Sequence, residues 1–468
     1  MLDYMDYVVK AFEKQTKWSS DNSYENITAT SRSLLNFPIP QSFKFQTSNK
    51  STNHSFNTLE LTRGKKINGS LTYLYTDVDG LDSVLRGSNA IALQDATETY
   101  RNIQPSFSNH HVPYWGLPSQ GDLLQYTPKF IPRSLYLGRL YYPSSVLEAM
   151  MIKRLSPHTQ FIVKCISSTV GGSNLNYWTF CWQRYKEQNC HEWILSSNDG
   201  LCGYRILHNV MVSPSKFNNS LYNNSSLAVG AEFWLSLGSL NPGCSTSLRY
   251  CTHSANTGRP LTLTFTLNPL FGHVSTTYSA KTSANSTFTT KYDFNLYSTE
   301  SNLSFGCELW RSESPIEVTS DVFHKNTVHS IAKIPHDEKM DQELLSLNDI
   351  STETNITVQD ESLNNFNDNQ QKYLNDLTKT FESSLQQIDK ERSIIEGFEN
   401  KFNNKQFSSV WKLSTSFMSK NLKILWEGRF KGFLFSAGTE LLFKADEKGI
   451  QPIINPSSKF GVKVQYSS

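Results

Sequence analysis

In the stretch Leu261-Thr262-Leu263-Thr264-Phe265-Thr266-Leu267, apolar and polar residues alternate without exception. Successive strand side chains point to opposite faces, so such a segment is a strand with one oily face and one polar face. The same rhythm runs from Leu227 to Leu309. Leu227, Val229, Ala231, Phe233 and Leu235 oppose Ala228, Gly230, Glu232 and Trp234. Phe288, Tyr292, Phe294 and Leu296 oppose Lys291, Asp293 and Asn295, and Leu303, Phe305, Cys307 and Leu309 oppose Ser304, Gly306 and Glu308. Turn residues at Asn241-Pro242-Gly243, Asn256-Thr257-Gly258 and Asn268-Pro269 separate the segments, which predicts an antiparallel meander.

The pattern extends to both ends of the chain. Phe43–Gln46, Phe56–Leu61 (apart from a Thr) and Ile67–Thr76 alternate near the start. Less regular strands are predicted at Leu135–Tyr142, Leu147–Leu155, Phe161–Ile166, Leu175–Gln183, Glu192–Leu195 and Gly203–Val210. They resume at Ser409–Phe417, Leu422–Trp426, Phe430–Phe435 and Thr439–Phe443, and end with Lys459–Tyr466. The count is roughly sixteen to twenty, in the range that leaves a lumen inside a closed barrel.

Three stretches break the period. Leu2, Met5, Val8, Val9 and Phe12 recur at helical steps, so an amphipathic helix is predicted over about 1–20, suited to bracing a lumen, lying on a membrane or docking on a partner. From about Asp77 to Arg133 turn and polar residues dominate, which reads as a long loop with one or two short strands. Residues 312–371 are polar and acid-rich, and Leu374, Leu377, Phe381, Leu385 and Ile388 then predict a helix over 373–398. The domain plan is a helix at 1–20 and a barrel over 21–468, with insertions at about 78–132 and 312–406.

Charge decides what the two faces meet. Glu232, Lys291, Asp293, Glu308, Lys459 and Lys463 all fall in the polar phase. A base facing lipid at mid-depth would cost about 2–4 kcal/mol, so this phasing suits a transmembrane β-barrel. Charged residues make up 18% of the 468 residues, against about 25% in soluble proteins. The mean hydropathy of −0.44 speaks against a helix bundle, and no apolar run is long enough to span a bilayer as a helix. A net charge of +2 without basic blocks gives no reason to expect nucleic acid. Asp3, Asp6 and Glu13 do not fit a cleavable mitochondrial presequence, so an organelle address is expected internally or at the C-terminus.

Little catalytic chemistry is visible. The sequence contains no nucleophile elbow, Walker loop, His-Glu-x-x-His or dinucleotide fingerprint, so neither an enzyme nor a cofactor is expected. Cys181, Cys190, His191 and Cys202 lack the spacing of structural zinc sites. His208, His253 and His273 have no spaced acid partner. Two aromatic pairs stand out: Tyr73 with Tyr75, and Tyr292 with Phe294, each two residues apart on one face. They read either as parts of the aromatic girdle at the bilayer boundary or as protein-docking ridges.

The final strand is also the most address-like segment. Phe460, Val462, Val464 and Tyr466 share one face, opposite Lys459, Gly461, Lys463 and Gln465. The order polar–x–Gly–x–x–hydrophobic–x–hydrophobic over Lys459, Gly461, Val464 and Tyr466 resembles the C-terminal sorting signal of mitochondrial outer-membrane barrels. Longer strings carry a family resemblance. Asn26-Ile27-Thr28-Ala29-Thr30-Ser31-Arg32, Leu93–Tyr100, Ile152–Pro157, Pro214–Leu309, Leu425-Trp426-Glu427-Gly428 and Ser436–Glu440 resemble the fungal mitochondrial distribution and morphology barrels. The likeness is collinear over most of the chain and lapses at about Ile103–Pro132 and Ser312–Gln371.

That resemblance implies a barrel of about 19 strands whose first and last strands pair in parallel, in the mitochondrial outer membrane. It implies a non-enzymatic scaffold with two partner sets. One is the lipid-transfer subunits of the ER–mitochondria encounter structure. The other is the core barrel and receptor subunits of the sorting and assembly machinery, with promotion of the assembly of outer-membrane barrels and the main import pore. Outer-membrane lipids would surround it. A metabolite pore like the voltage-dependent anion channel is the alternative.

Overall fold

The computed structural model describes residues 1–64, 67–81, 85–103, 130–170, 173–186, 188–210, 225–254, 256–312, 394–395, 397–403, 405–445, 452–454 and 458–468. Its strands are β1 (Ser42–Thr52), β2 (Ser55–Arg63), β3 (Ile67–Thr76), β4 (Arg133–Tyr142), β5 (Val146–Ser156), β6 (Thr159–Val170), β7 (Ser173–Lys186), β8 (Asn189–Ser196), β9 (Leu201–Asn209) and β10 (Ser226–Ser236). They continue with β11 (Pro242–His253), β12 (Pro260–Asn268), β13 (His273–Lys281), β14 (Ser286–Asn295), β15 (Ser301–Ser312), β16 (Phe407–Ser416), β17 (Asn421–Phe430), β18 (Phe433–Ala445), a short β19 (Pro452–Ile454) and β20 (Lys459–Ser467). Each strand from β1 to β18 pairs antiparallel with the next, and β18 pairs antiparallel with β20. β20 then pairs parallel with β1, closing a 19-strand barrel, while β19 only extends the edge of β18.

Closure leaves no free edge and satisfies the backbone hydrogen bonds, which a wall facing hydrocarbon requires. The exposure pattern is inverted relative to a soluble sandwich. Leu59, Leu71, Phe265, Phe288 and Leu309 are exposed on the outer face, while Gln46, Glu308, Lys412 and Glu427 are buried on the inner one. An odd strand number forces the one parallel seam, because strand direction alternates everywhere else. The two rims also differ. Connections 77–132, 210–225 and 313–406 leave the rim at which odd-numbered strands end, called here the loop rim. The opposite turn rim carries tight hairpins, apart from the connection 446–458.

The predicted N-terminal helix forms as α1 (Tyr4–Gln15), with the Asp3 side chain accepting a hydrogen bond from the Met5 amide at its start. Tyr4, Met5, Val8, Ala11 and Phe12 pack on Phe56, Leu74, Leu135 and Ile152 of β2–β5. These strand residues sit in the otherwise polar inner phase, so α1 occupies the lumen. A 3-10 turn (Tyr24–Asn26) and α2 (Ala29–Leu35) follow it there, before Phe37-Pro38-Ile39-Pro40 leads out into β1.

The one or two short strands expected between 77 and 133 are absent among the described residues of that stretch. Instead Val78, Leu81, Ile91, Leu93, Ala96, Tyr100 and Ile103 are buried, with one turn of helix, α3 (Leu93–Ala96). Thr99 donates to Glu308 and Tyr100 contacts Thr262, both on the inner wall. The chain therefore folds inward after β3. The helix expected over 373–398 lies largely outside the described residues; 394–395 and 397–403 are helical.

Candidate functional site

Three features can carry function here: the seam, the filled lumen and the outer wall. At the seam, β20 lies with Ser42 opposite Gly461, Phe45 opposite Val464 and Thr47 opposite Tyr466. On its other side Gly461 faces Gly438 of β18. A Cβ at Gly461 would stand 2.6 Å from the Ser42 carbonyl oxygen, and nearer still to that of Pro40. The glycine is needed because the chain leaving the lumen crosses directly over this point. Lys459 pairs with Glu440 at 3.3 Å, half-buried Val464 lies on the outer face, and Tyr466 packs on Phe433 with ring centroids 5.3 Å apart. The strand end is held from inside, where the Ser467 carbonyl accepts from the Ser88 amide and hydroxyl, each at 3.0 Å.

Charge and shape fix the plug. Asp3 binds Arg139 of β4 at 2.7 Å and Gln46 of β1 at 2.5 Å. Glu427 pairs with Lys412 at 3.2 Å and with the Met1 amino group, all of them buried. Trp18 stacks on Tyr185 at 4.1 Å, with the Arg154 guanidinium 4.1 Å from its ring. Tyr24 reaches Ser245 at 2.6 Å, and Gly230 admits its ring, since a Cβ there would stand 2.5 Å from Cδ2. Burial pushes the Glu13 carboxyl above its ordinary range and lowers the Lys10 ammonium.

Open space remains among the described residues. One cavity of about 590 Å³ lies beside Tyr24, Arg32, Arg205, Glu232 and Lys291, and one of about 450 Å³ beside Asp3, Lys44, Glu98, Lys412 and Lys463. Alternation also separates the thiols. Cys181 and Cys190 share the inner phase with Tyr185 and Glu192, whereas Cys202 shares the outer phase with Tyr204. Among the described residues no group of three or more His, Cys, Asp or Glu side chains could hold a metal ion.

The four aromatics singled out from the sequence all face outward. Tyr73, Tyr75 and Tyr292 are exposed and Phe294 is half-buried. Tyr75 lies 6.5 Å from Tyr136 and 6.4 Å from His54, at the loop rim. Tyr292 and Phe294 oppose Leu303 and Ser301 at the turn rim. Each pair shares one face of its strand, and the two pairs stand on opposite walls and at opposite rims. The plug contacts were not singled out from the sequence. Their signal was present: Phe56, Leu74, Leu135 and Ile152 are apolar residues in a polar phase.

These features define a class: a closed, plugged β-barrel whose outer wall is built for hydrocarbon. The family described as Mitochondrial distribution and morphology protein 10 matches residues 1–468, and the chain belongs to that family. It is 50% identical over 507 residues to the protein of that description from Saccharomyces cerevisiae strain RM11-1a, and 51% identical over 481 residues to that from Zygosaccharomyces rouxii. The relative from Candida glabrata is 48% identical over 488 residues. In all three, the whole of both chains is covered. The protein therefore has a role in mitochondrial distribution and morphology.

Proposed function

We propose that this protein is a non-enzymatic scaffold barrel of the mitochondrial outer membrane with two partner sets. In one, its wall and rims anchor the lipid-transfer subunits of the ER–mitochondria encounter structure, which exchange phospholipid and shape the organelle. In the other, it joins the core barrel and receptor subunits of the sorting and assembly machinery and promotes assembly of outer-membrane barrels and the import pore. The observation that carries the reading is the filled lumen. With residues 1–40 and the described residues of 77–103 packed inside, the surfaces left to work with are the wall and the rims. The opposite placement of Tyr73–Tyr75 and Tyr292–Phe294 supports two separate docking ridges, since exposed aromatics anchor interfaces.

The test is affinity isolation from native membranes of the wild type, Y73A/Y75A and Y292A/F294A. Each double variant is expected to lose one partner set and keep the other. If both retain every partner, the rings are only a bilayer girdle. In the same reading Lys459, Gly461, Val464 and Tyr466 form the sorting signal, and changing Gly461 or Tyr466 blocks membrane insertion. A metabolite pore is the second reading, favoured by the polar inner wall and its residual cavities. Planar-bilayer recording separates the two, because a dedicated pore conducts steadily with a defined selectivity.

A further inference from the structure

Tyr185 points into the lumen, where it stacks on Trp18. Its neighbours Arg184 and Lys186 therefore point outward, and both are exposed. Lys153 on β5 is likewise outward and exposed, because Arg154 beside it turns inward over Trp18. Among the described residues none of these three cations has an ion-pair partner. The two strand carboxylates of this sector face the lumen. Glu148 accepts from the Tyr141 hydroxyl, and Glu192 lies 3.8 Å from Arg205.

A row of outward rings runs beside the cations. Phe161, Trp182, Trp193 and Tyr204 are register partners across β6–β9, and Lys153 is the partner of Phe161 on β5. One step nearer the loop rim, Arg184 is the partner of His191. The rings mark the level where hydrocarbon gives way to headgroups; Lys153 stands in that row, and Arg184 and Lys186 stand on its headgroup side. Among the described residues, which do not include Glu187 next to Lys186, the cluster is of one sign on its own face and continuous with the lipid-facing wall, and that fits a phosphate group. Guanidinium and ammonium donors suit phosphate oxygens, while the rings beneath suit acyl chains.

We infer that the outer wall of β5–β8 at the loop rim, through Lys153, Arg184 and Lys186, binds the phosphate headgroup of an anionic phospholipid. Full-length protein reconstituted in phosphatidylcholine vesicles tests this by electron paramagnetic resonance, comparing spin-labelled phosphatidylglycerol with spin-labelled phosphatidylcholine. The wild type is expected to prefer the anionic probe about fivefold or more at low salt, and less at high salt. In K153Q/R184Q/K186Q the preference falls to near unity. A control, R63Q/K420Q/K431Q, removes three exposed cations elsewhere and keeps the preference. Heat-modifiable migration on gels confirms that both variants are folded. No preference in the wild type, an unchanged preference in the triple variant, or an equal loss in the control would overturn the inference.

Discussion

Gly461 of the last strand lies under the backbone of Pro40, the point at which the chain passes from the lumen into the first strand. The barrel's closing strand and its plug thus meet at one residue without a side chain. G461V should abolish seam closure, because overpacking against backbone cannot be relieved by a rotamer change. The readout is loss of the folded, heat-modifiable form after insertion. G461A, with a smaller overlap, should retain a fraction of it.

The Glu427–Lys412 pair gives a second expectation. Both side chains are buried, and the Met1 amino group shares the carboxylate. E427Q removes the buried carboxylate that Lys412 and the Met1 amino group share and should destabilise the barrel by about 3–5 kcal/mol. Replacing both strand partners, in K412M/E427M, should cost less than E427Q alone. Thermal unfolding in detergent, followed by heat-modifiable migration, orders the variants. A larger loss in the double variant would contradict this picture.

The α1 contact surface makes a third. Met5, Val8 and Phe12 are fully buried against the inner wall, and burying such side chains contributes about 1.5–3 kcal/mol each. M5D/V8D should expel the helix from its seat while leaving the wall intact. In planar bilayers this variant should conduct far more than the wild type. Equal conductance would mean that α1 does not obstruct the lumen.

The pairs of rings make a fourth. Truncating Tyr73 and Tyr75, or Tyr292 and Phe294, removes outward side chains that support no buried contact of the plug. Thermal midpoints should therefore stay within a few degrees of wild type, since such surface changes stay within about 0.5 kcal/mol. A large loss of stability would make any loss of partners uninformative and would assign these rings to the structure of the wall.

The strands were legible because lipid outside and polar groups inside impose a strict two-residue period. Leu261–Leu267 shows it in full and became β12. The helix over α1 was legible for the same kind of reason, since one face must be apolar. The described residues of 77–103 were not, because they cross the lumen on an irregular path. Val78, Ile91, Tyr100 and Ile103 each fill a local gap, and no period links them. The outward direction of Tyr73, Tyr75, Tyr292 and Phe294 could be read from alternation. Their separation onto opposite walls and rims could not, because it depends on strand count and closure.

The most direct test of the closed barrel is disulfide trapping across the seam in a background lacking the seven native cysteines. F43C/V462C and T47C/Y466C should each cross-link, because those positions are partners in the parallel register, and F43C/Y466C should not. Cross-linking of F43C with Y466C, and neither of the other two, would mean that the ends run antiparallel and would contradict the 19-strand barrel.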